Sequence, residues 1–329
     1  MFAADADRRD TARLAIGCIL AGVVLISVND MLIKALSGDY PLHQIVFIRS
    51  IIGITITLTI LQWEGGLAKL YTATPFLHLL RGLLIVAANM LYYAAIVVMP
   101  LADATAIFYV APLLITLLSV PFLGEQVGPR RLGACAVGFL GVVVMMRPWE
   151  SGAADGVNRW LLLLPVGSAL AYASMQILTR RLGVSAPASA MAAYIQGSFI
   201  GVSLLFFLIA GDGRFAEGLE SPSLIFLLRA WIVPPTEDLW LFLLLGLTAG
   251  GIGYCLSQAY RSAEAAVVAP FEYVLLPLAI FWGWSVFGEV PGPTVVIGIA
   301  LIAGAGVYVF VREGVRGRQV ATGRPTRRP

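Results

Sequence analysis

Four charged residues stand in apolar stretches of this chain where a charge needs a reason. Glu272 is the only charge between Glu264 and Glu289. Asp30 and Lys34 are the only charges between Arg13 and Asp39, and Arg49 is alone between Asp39 and Glu64. In hydrocarbon each costs at least ~2.5 kcal/mol on insertion scales, so it calls for a partner, a water-filled pocket or a role. A carboxylate such as Glu272 suits proton coupling or pairing with a substrate amine. The duller reading is a static partner, for which Tyr260 or Arg261 is near in sequence. Asp30 and Lys34 are one helical turn apart and can pair with each other. Arg49 falls near the level of Asp30 and Asp103. Asp30, Lys34, Arg49 and Asp103 suit a hydrogen-bonded outer gate or an ion pair, and Arg49 also suits recognition of a substrate carboxylate by its guanidinium fork. Gate or scaffold is the reading preferred for them, and Arg81, one turn into its segment, reads as an interfacial anchor.

A second set is polar and aromatic: Asn89, Tyr92 and Tyr93; Tyr109; Tyr172 and Gln176; Ser257 and Gln258; Tyr273. Small-molecule sites are walled by apolar and aromatic groups with a few converging hydrogen-bonding ones. Any single tyrosine is explained as well by packing, so the set carries the argument. It gives Asn89, Tyr93, Tyr109, Tyr172, Gln176, Gln258, Glu272 and Tyr273 as candidate substrate-binding residues, suited to a small, partly aromatic or amphipathic solute. No metal or cofactor is expected. Cys18, Cys135 and Cys255 form no CxxC pair, His43 and His78 are far apart, and no Walker-type glycine loop is present.

The elements that must hold these groups are membrane spans. The chain is 59% hydrophobic and 12% charged, against about one quarter charged in soluble proteins. A helix needs about 20 apolar residues to cross a bilayer. Ten such stretches are expected, at 14–36, 43–62, 76–97, 101–123, 131–148, 160–181, 188–210, 238–260, 264–287 and 293–312. Pro112, Pro270 and Pro277 break the fourth and ninth. Lys and Arg gather on one side of this arrangement (Arg8, Arg9, Arg13, Lys69, Arg130, Arg131, Arg180, Arg181, Arg261 and the C-terminal arginines), whereas Arg147, Arg159, Arg214 and Arg229 fall on the other. The positive-inside rule then makes both termini cytoplasmic. A net charge of +3 suggests no nucleic-acid partner. The basic tail is expected to lie along an anionic inner leaflet.

One segment is written twice. Phe108-Tyr109-Val110 with Gly124-Glu125 and Gly128-Pro129 matches Glu272-Tyr273-Val274 with Gly288-Glu289 and Gly292-Pro293, 164 residues on. Asp30 to Lys34 matches Gln176 to Arg180 at a shorter offset of 146, the difference falling in the long connection Gly211–Asp238. Within it, Ser223–Val233 suits either a short interfacial helix or a packed loop. The expected fold is an all-α integral membrane protein of ten transmembrane helices in two inverted five-helix repeats. Its divisions are a cytoplasmic segment 1–13, repeats 14–148 and 160–312 with the outer loop 211–238, and a basic tail 313–329.

This plan, with Gly-Glu closing the fourth and ninth spans and Arg49 in the second, resembles the drug/metabolite transporter superfamily in its EamA branch. The resemblance runs from Leu14 to Arg312. It implies a carrier with a central cavity between the halves, walled mainly by spans 1, 3, 4, 6, 8 and 9. The expectation is an inner-membrane secondary transporter working by alternating access, its partners a small-molecule substrate and the lipid bilayer. Proton coupling and a homodimer both remain open. Amino acids or related polar compounds are the first reading of the substrate; a flavin or S-adenosylmethionine is the alternative. The rival from another class is an intramembrane enzyme acting on lipid-linked substrates. It needs clustered Asp, His or Ser residues with catalytic geometry, and only scattered ones are seen.

Overall fold

A computed structural model describes residues 2–71, 74–124, 128–147, 159–182, 188–262 and 269–322. The described residues are helical or irregular, with no strand among them, as expected where each backbone polar group must be satisfied within its own segment. The α-helices are α1 (Phe2–Leu36), α2 (Leu42–Trp63), α3 (Pro75–Ile96), α4 (Leu101–Phe108), α5 (Ala111–Leu123) and α6 (Pro129–Met146). They continue as α7 (Leu163–Leu182), α8 (Ala188–Ala210), α9 (Pro222–Leu228), α10 (Leu239–Ser262), α11 (Leu275–Phe287) and α12 (Pro293–Thr322). Short 3-10 helices cover Leu67–Leu70, Arg159–Leu162 and Ala269–Val274.

Among the described residues, seven helical stretches are long and apolar enough to cross a membrane, the sixth expected span among them at Trp160–Thr179. The fifth, ninth and tenth expected spans appear as shorter apolar helices, Leu132–Met146, Phe271–Phe287 and Pro293–Tyr308. Trp63, Trp160 and Trp240 are exposed at helix ends, as an interfacial position allows. In the long connection, α9 covers only seven residues. Phe226 is buried beneath it, and Ser223 donates to the Ala94 carbonyl at 2.7 Å. The segment is thus a short helix packed on the bundle, with irregular chain after it. Arg81, near the start of α3, is buried against α8, where its guanidinium reaches the Met191 carbonyl at 3.4 Å.

The helices pair across the chain. α1 lies on α10, α3 on α7, α2 on α8, α6 on α12 and α4 on α11. Small residues set the closest approach. A Cβ on Gly298 of α12 would sit 3.0 Å from the Gly141 carbonyl of α6 and 2.2 Å from Met145 Cγ, so only glycine lets these backbones touch.

The expected fourth and ninth spans are broken in the same way. The fourth divides at Tyr109–Val110, between α4 and α5. Pro112 lacks the N–H that Phe108 would bond, and its ring crowds that carbonyl. Pro277 does the same to Tyr273, where the 3-10 turn Ala269–Val274 gives way to α11. Both spans then end on a left-handed glycine, Gly124 and Gly288, each with φ 68°. Each glycine N–H closes the last turn on equivalent carbonyls, Ser119 and Val120 in one span, Gly283 and Trp284 in the other.

Candidate functional site

The two breaks meet in the interior. Tyr109 and Tyr273, the residues at the breaks, have ring centroids 5.0 Å apart, and both side chains are buried. The Tyr109 hydroxyl donates to the Glu272 backbone carbonyl at 2.7 Å. The Glu272 side chain is half-buried, and the rings of Tyr109, Tyr172 and Tyr273 are close enough to feel its charge. Glu272 is carried on the 3-10 turn Ala269–Val274 that precedes α11.

From this point aromatic rings run in file toward α1. Phe108 is 6.1 Å from Tyr109 and 5.5 Å from both Tyr172 and Tyr92, and Tyr92 is 5.5 Å from Tyr93. Most of these contacts are edge-on or tilted, the geometry that ring quadrupoles favour. Gln176 donates to the Tyr172 hydroxyl at 2.9 Å, one turn along α7.

A charged network closes the other end of the file. The Tyr92 hydroxyl donates to Asp30 Oδ2 at 3.2 Å, and Tyr93 stands 3.5 Å from Oδ1. Tyr92 also shares a hydrogen bond of 2.8 Å with Thr105, which donates to the Leu101 carbonyl. Arg49 donates to Asn29 Oδ1 at 2.9 Å and to the Tyr93 hydroxyl at 3.1 Å. Its guanidinium lies over the rings of Tyr93 and Phe199, at 5.3 and 5.2 Å. Asn29 in turn donates to Thr248 at 3.1 Å on α10. Asp30, Asn29 and Arg49 are all buried, so the carboxylate and the guanidinium are met inside the protein by hydrogen bonds and ring faces rather than by water, with Arg49 Nε left without a hydrogen-bond partner.

The expected pairing of Asp30 with Lys34 is not what the structure shows. Asp30 turns to the two tyrosines, and Lys34 forms an ion pair with Glu289. The reason is reach. Tyr92 and Tyr93 on α3 bring hydroxyls to Asp30, while the turn after α11 brings a carboxylate to the end of α1. Asp103 stands near enough to Lys34 to attract it. Asn89 bonds within its own helix, to Ile85 at 3.0 Å, and Gln258 is half-buried on α10. The static partners considered for Glu272, Tyr260 and Arg261, have side chains outside the described residues, as does Ser257. No group of three or more His, Cys, Asp or Glu that could hold a metal occurs among the described residues.

Sequence reasoning missed Asn29, Phe108, Thr105, Thr248 and Glu289 as site residues. Asn29 had a signal, since it adjoins Asp30 in an apolar span. Glu289 was visible only as the end of a turn motif.

Residues 13–147 match the EamA-like transporter family. A riboflavin transporter of Rhizobium johnstonii is 35% identical over 257 residues, covering 78% of this chain and 77% of that protein. An S-adenosylmethionine uptake transporter of Rickettsia prowazekii is 26% identical over 294 residues, covering 89% and 91% of the two chains. A solved crystal structure superposes with a TM-score of 0.61 at 20% identity, over 94% of this chain and 99% of that one, and shares the fold.

Proposed function

We propose, from the premise that this chain belongs to the EamA-like transporter family and is a multi-pass membrane transporter, that it carries a flat, ring-containing metabolite of the flavin kind by alternating access. The carrying observation is the file of aromatic rings from Tyr93 to Tyr273, with Asp30 and Arg49 at one end and Glu272 at the other. Rings stack on rings whatever their substituents, and polar groups at the two ends select for the edges of the solute. The amino-acid reading gives way, because an amino acid needs one small polar pocket and not a row of rings. The relatives named for riboflavin and S-adenosylmethionine favour the same choice. S-adenosylmethionine is the second reading. It is favoured by two carboxylates, Asp30 and Glu272, set among the aromatic rings, a setting that suits a cation.

Alternating access is supported by the pattern of packing. Under the 146- and 164-residue correspondences, the pairing of α1 with α10 exchanges with that of α7 with α3, whereas α2–α8 and α6–α12 map onto themselves. Two inverted five-span repeats about an in-plane axis predict that exchange. Sidedness rests on the Lys and Arg distribution, with both termini cytoplasmic in the inner membrane. An intramembrane enzyme is disfavoured by relatives named as transporters.

The test is counterflow in liposomes holding only the purified protein, with labelled riboflavin, S-adenosylmethionine and a pool of amino acids. Saturable exchange of riboflavin is expected, competed by other flavins. Exchange of amino acids alone would sink the aromatic-solute reading, and turnover of lipid-linked substrates without solute exchange would sink the carrier.

A further inference from the structure

The turn after α11 ends a helix, but its carboxylate also ties three parts of the chain together. One oxygen of Glu289 pairs with Lys34 near the end of α1. The other accepts the Leu101 N–H at 2.9 Å, one of the first amides of α4, which have no partner within their own helix. Lys34 also donates to the Met99 carbonyl at 3.0 Å and stands 5.0 Å over the Phe287 ring. The backbone fixes the carboxylate in place. Glu289 N–H bonds the Gly283 carbonyl at 2.8 Å, and Gly288 takes the left-handed turn that side chains resist. Lower on the same seam, Trp282 of α11 donates to Ser27 of α1 at 3.1 Å.

The burial of the pair decides what this knot is for. The side chains of Lys34 and Glu289 are 9% and 23% exposed, so they seal the rim without being cut off from water. A purely apolar seal would expose hydrocarbon surface on opening, whereas these charges can exchange each other for hydration. The helix between is a lever. α11 is 13 residues long, about 20 Å. It runs from the break at Tyr273, where a solute would sit, to the carboxylate at the rim.

We infer that Glu289 is a gating residue of the transport cycle. Its bonds to Lys34 and Leu101 latch one end of the solute path and release when α11 swings about the break at 269–274. The inference rests on the carrier reading above, which puts this end outside.

The experiment measures access to a buried reporter under the latch. Cys18, Cys135 and Cys255 are replaced by Ala, and Ala104→Cys is introduced on α4. Ala104 is fully buried, and α4 lies on α11 across the seam. The protein is reconstituted in liposomes, and a membrane-impermeant maleimide is applied to each face in turn. Glu289→Gln is expected to raise labelling from the outer face about tenfold, because a closed state favoured by a few kcal/mol leaves the open one scarce. Lys34→Met should do the same, and the double variant should be no faster than either single one, since both break one contact. An unchanged rate, or an equal rise from both faces as a merely structural pair would give, overturns the latch. A rise from the inner face alone keeps the latch and overturns the assigned sidedness. Should Ala104→Cys fail to fold, Ala279→Cys on α11, 3% exposed, reports on the opposite wall.

Discussion

Phe108 and Glu272 occupy equivalent places, each one residue before the tyrosine at which its span breaks. Nearly everything around them is duplicated. A proline follows each tyrosine within four residues, and each span ends on a glycine with φ 68°. Yet α4 stays α-helical up to Phe108, whereas Glu272 rides on a 3-10 turn, and one position offers a ring where the other offers a carboxylate. A solute lying between the breaks meets matched tyrosines and unmatched neighbours. Under the carrier reading proposed above, two inverted repeats supply two equivalent hinges, which alternating access needs. Recognition needs the halves to differ, and they differ at the residue before each hinge.

The largest effect is expected where that difference is erased. Glu272→Gln keeps the size of the side chain and removes the charge. A hydrogen bond to a charged group is worth roughly 1.5–3 kcal/mol, so kcat/KM for counterflow should fall about tenfold to a hundredfold. If proton coupling also runs through Glu272, the variant's exchange loses its dependence on an imposed pH gradient. Undiminished exchange with an intact pH response would remove Glu272 from the mechanism.

Next comes the wall behind Tyr273. A Cβ on Gly306 of α12 would stand 1.6 Å from the Tyr273 hydroxyl. Gly306→Ala therefore pushes the ring toward Tyr109 or away from α12, at about 1–3 kcal/mol for overpacking. The expected outcome is a lower melting temperature in detergent together with weaker solute exchange. Gly304 has nothing within 4 Å of its added Cβ, so Gly304→Ala should change neither and serves as the control. Equal losses in the two variants would show that helix packing, and not the hinge tyrosine, sets the effect.

Phe108→Leu tests the other half of the comparison. Leucine keeps the burial but loses ring contacts with Tyr92, Tyr109 and Tyr172. Such contacts are worth about 0.5–1.5 kcal/mol beyond area. KM for a flavin should rise about threefold to tenfold, with the maximal rate little changed, while a non-aromatic solute feels nothing. A rise of the same size for every solute would mean that Phe108 shapes the bundle and not the site.

How far the sequence foretold this arrangement depends on the range of the interaction. Helices and breaks are local matters. Apolar runs, the prolines at 112 and 277 and the glycines at 124 and 288 carry their own instructions, so the helix breaks at Tyr109 and Tyr273 were legible. The charges of Asp30 and Arg49 stood out because a lipid-spanning stretch has so few. Their partners did not. Asp30 looked to Lys34 one turn away, but α3 brings Tyr92 and Tyr93 from 62 and 63 residues along the chain, and Lys34 finds Glu289 across 255. Asn29 and Thr248 are joined across 219 residues, and an amide or hydroxyl in a span reads equally as ordinary helix packing. Partner choice over such distances is fixed by the register of packed helices, which one sequence does not state.

The smallest effect is the finest probe of the comparison. The Tyr109 hydroxyl crosses from the first hinge to the backbone of the second, through the Glu272 carbonyl. Tyr109→Phe removes that link and leaves the ring stack with Tyr273 in place. Hydrogen bonds between membrane helices average about 0.6 kcal/mol, so stability should drop only slightly. If the bond ties the two hinges in this closed arrangement, its loss speeds their separation, and counterflow should quicken roughly threefold. If the hydroxyl instead contacts the solute, the same variant raises KM and leaves the rate at saturation unchanged. Measuring both constants on one preparation tells the hinge from the site, because a hinge bond acts at every solute concentration and a binding bond only below saturation.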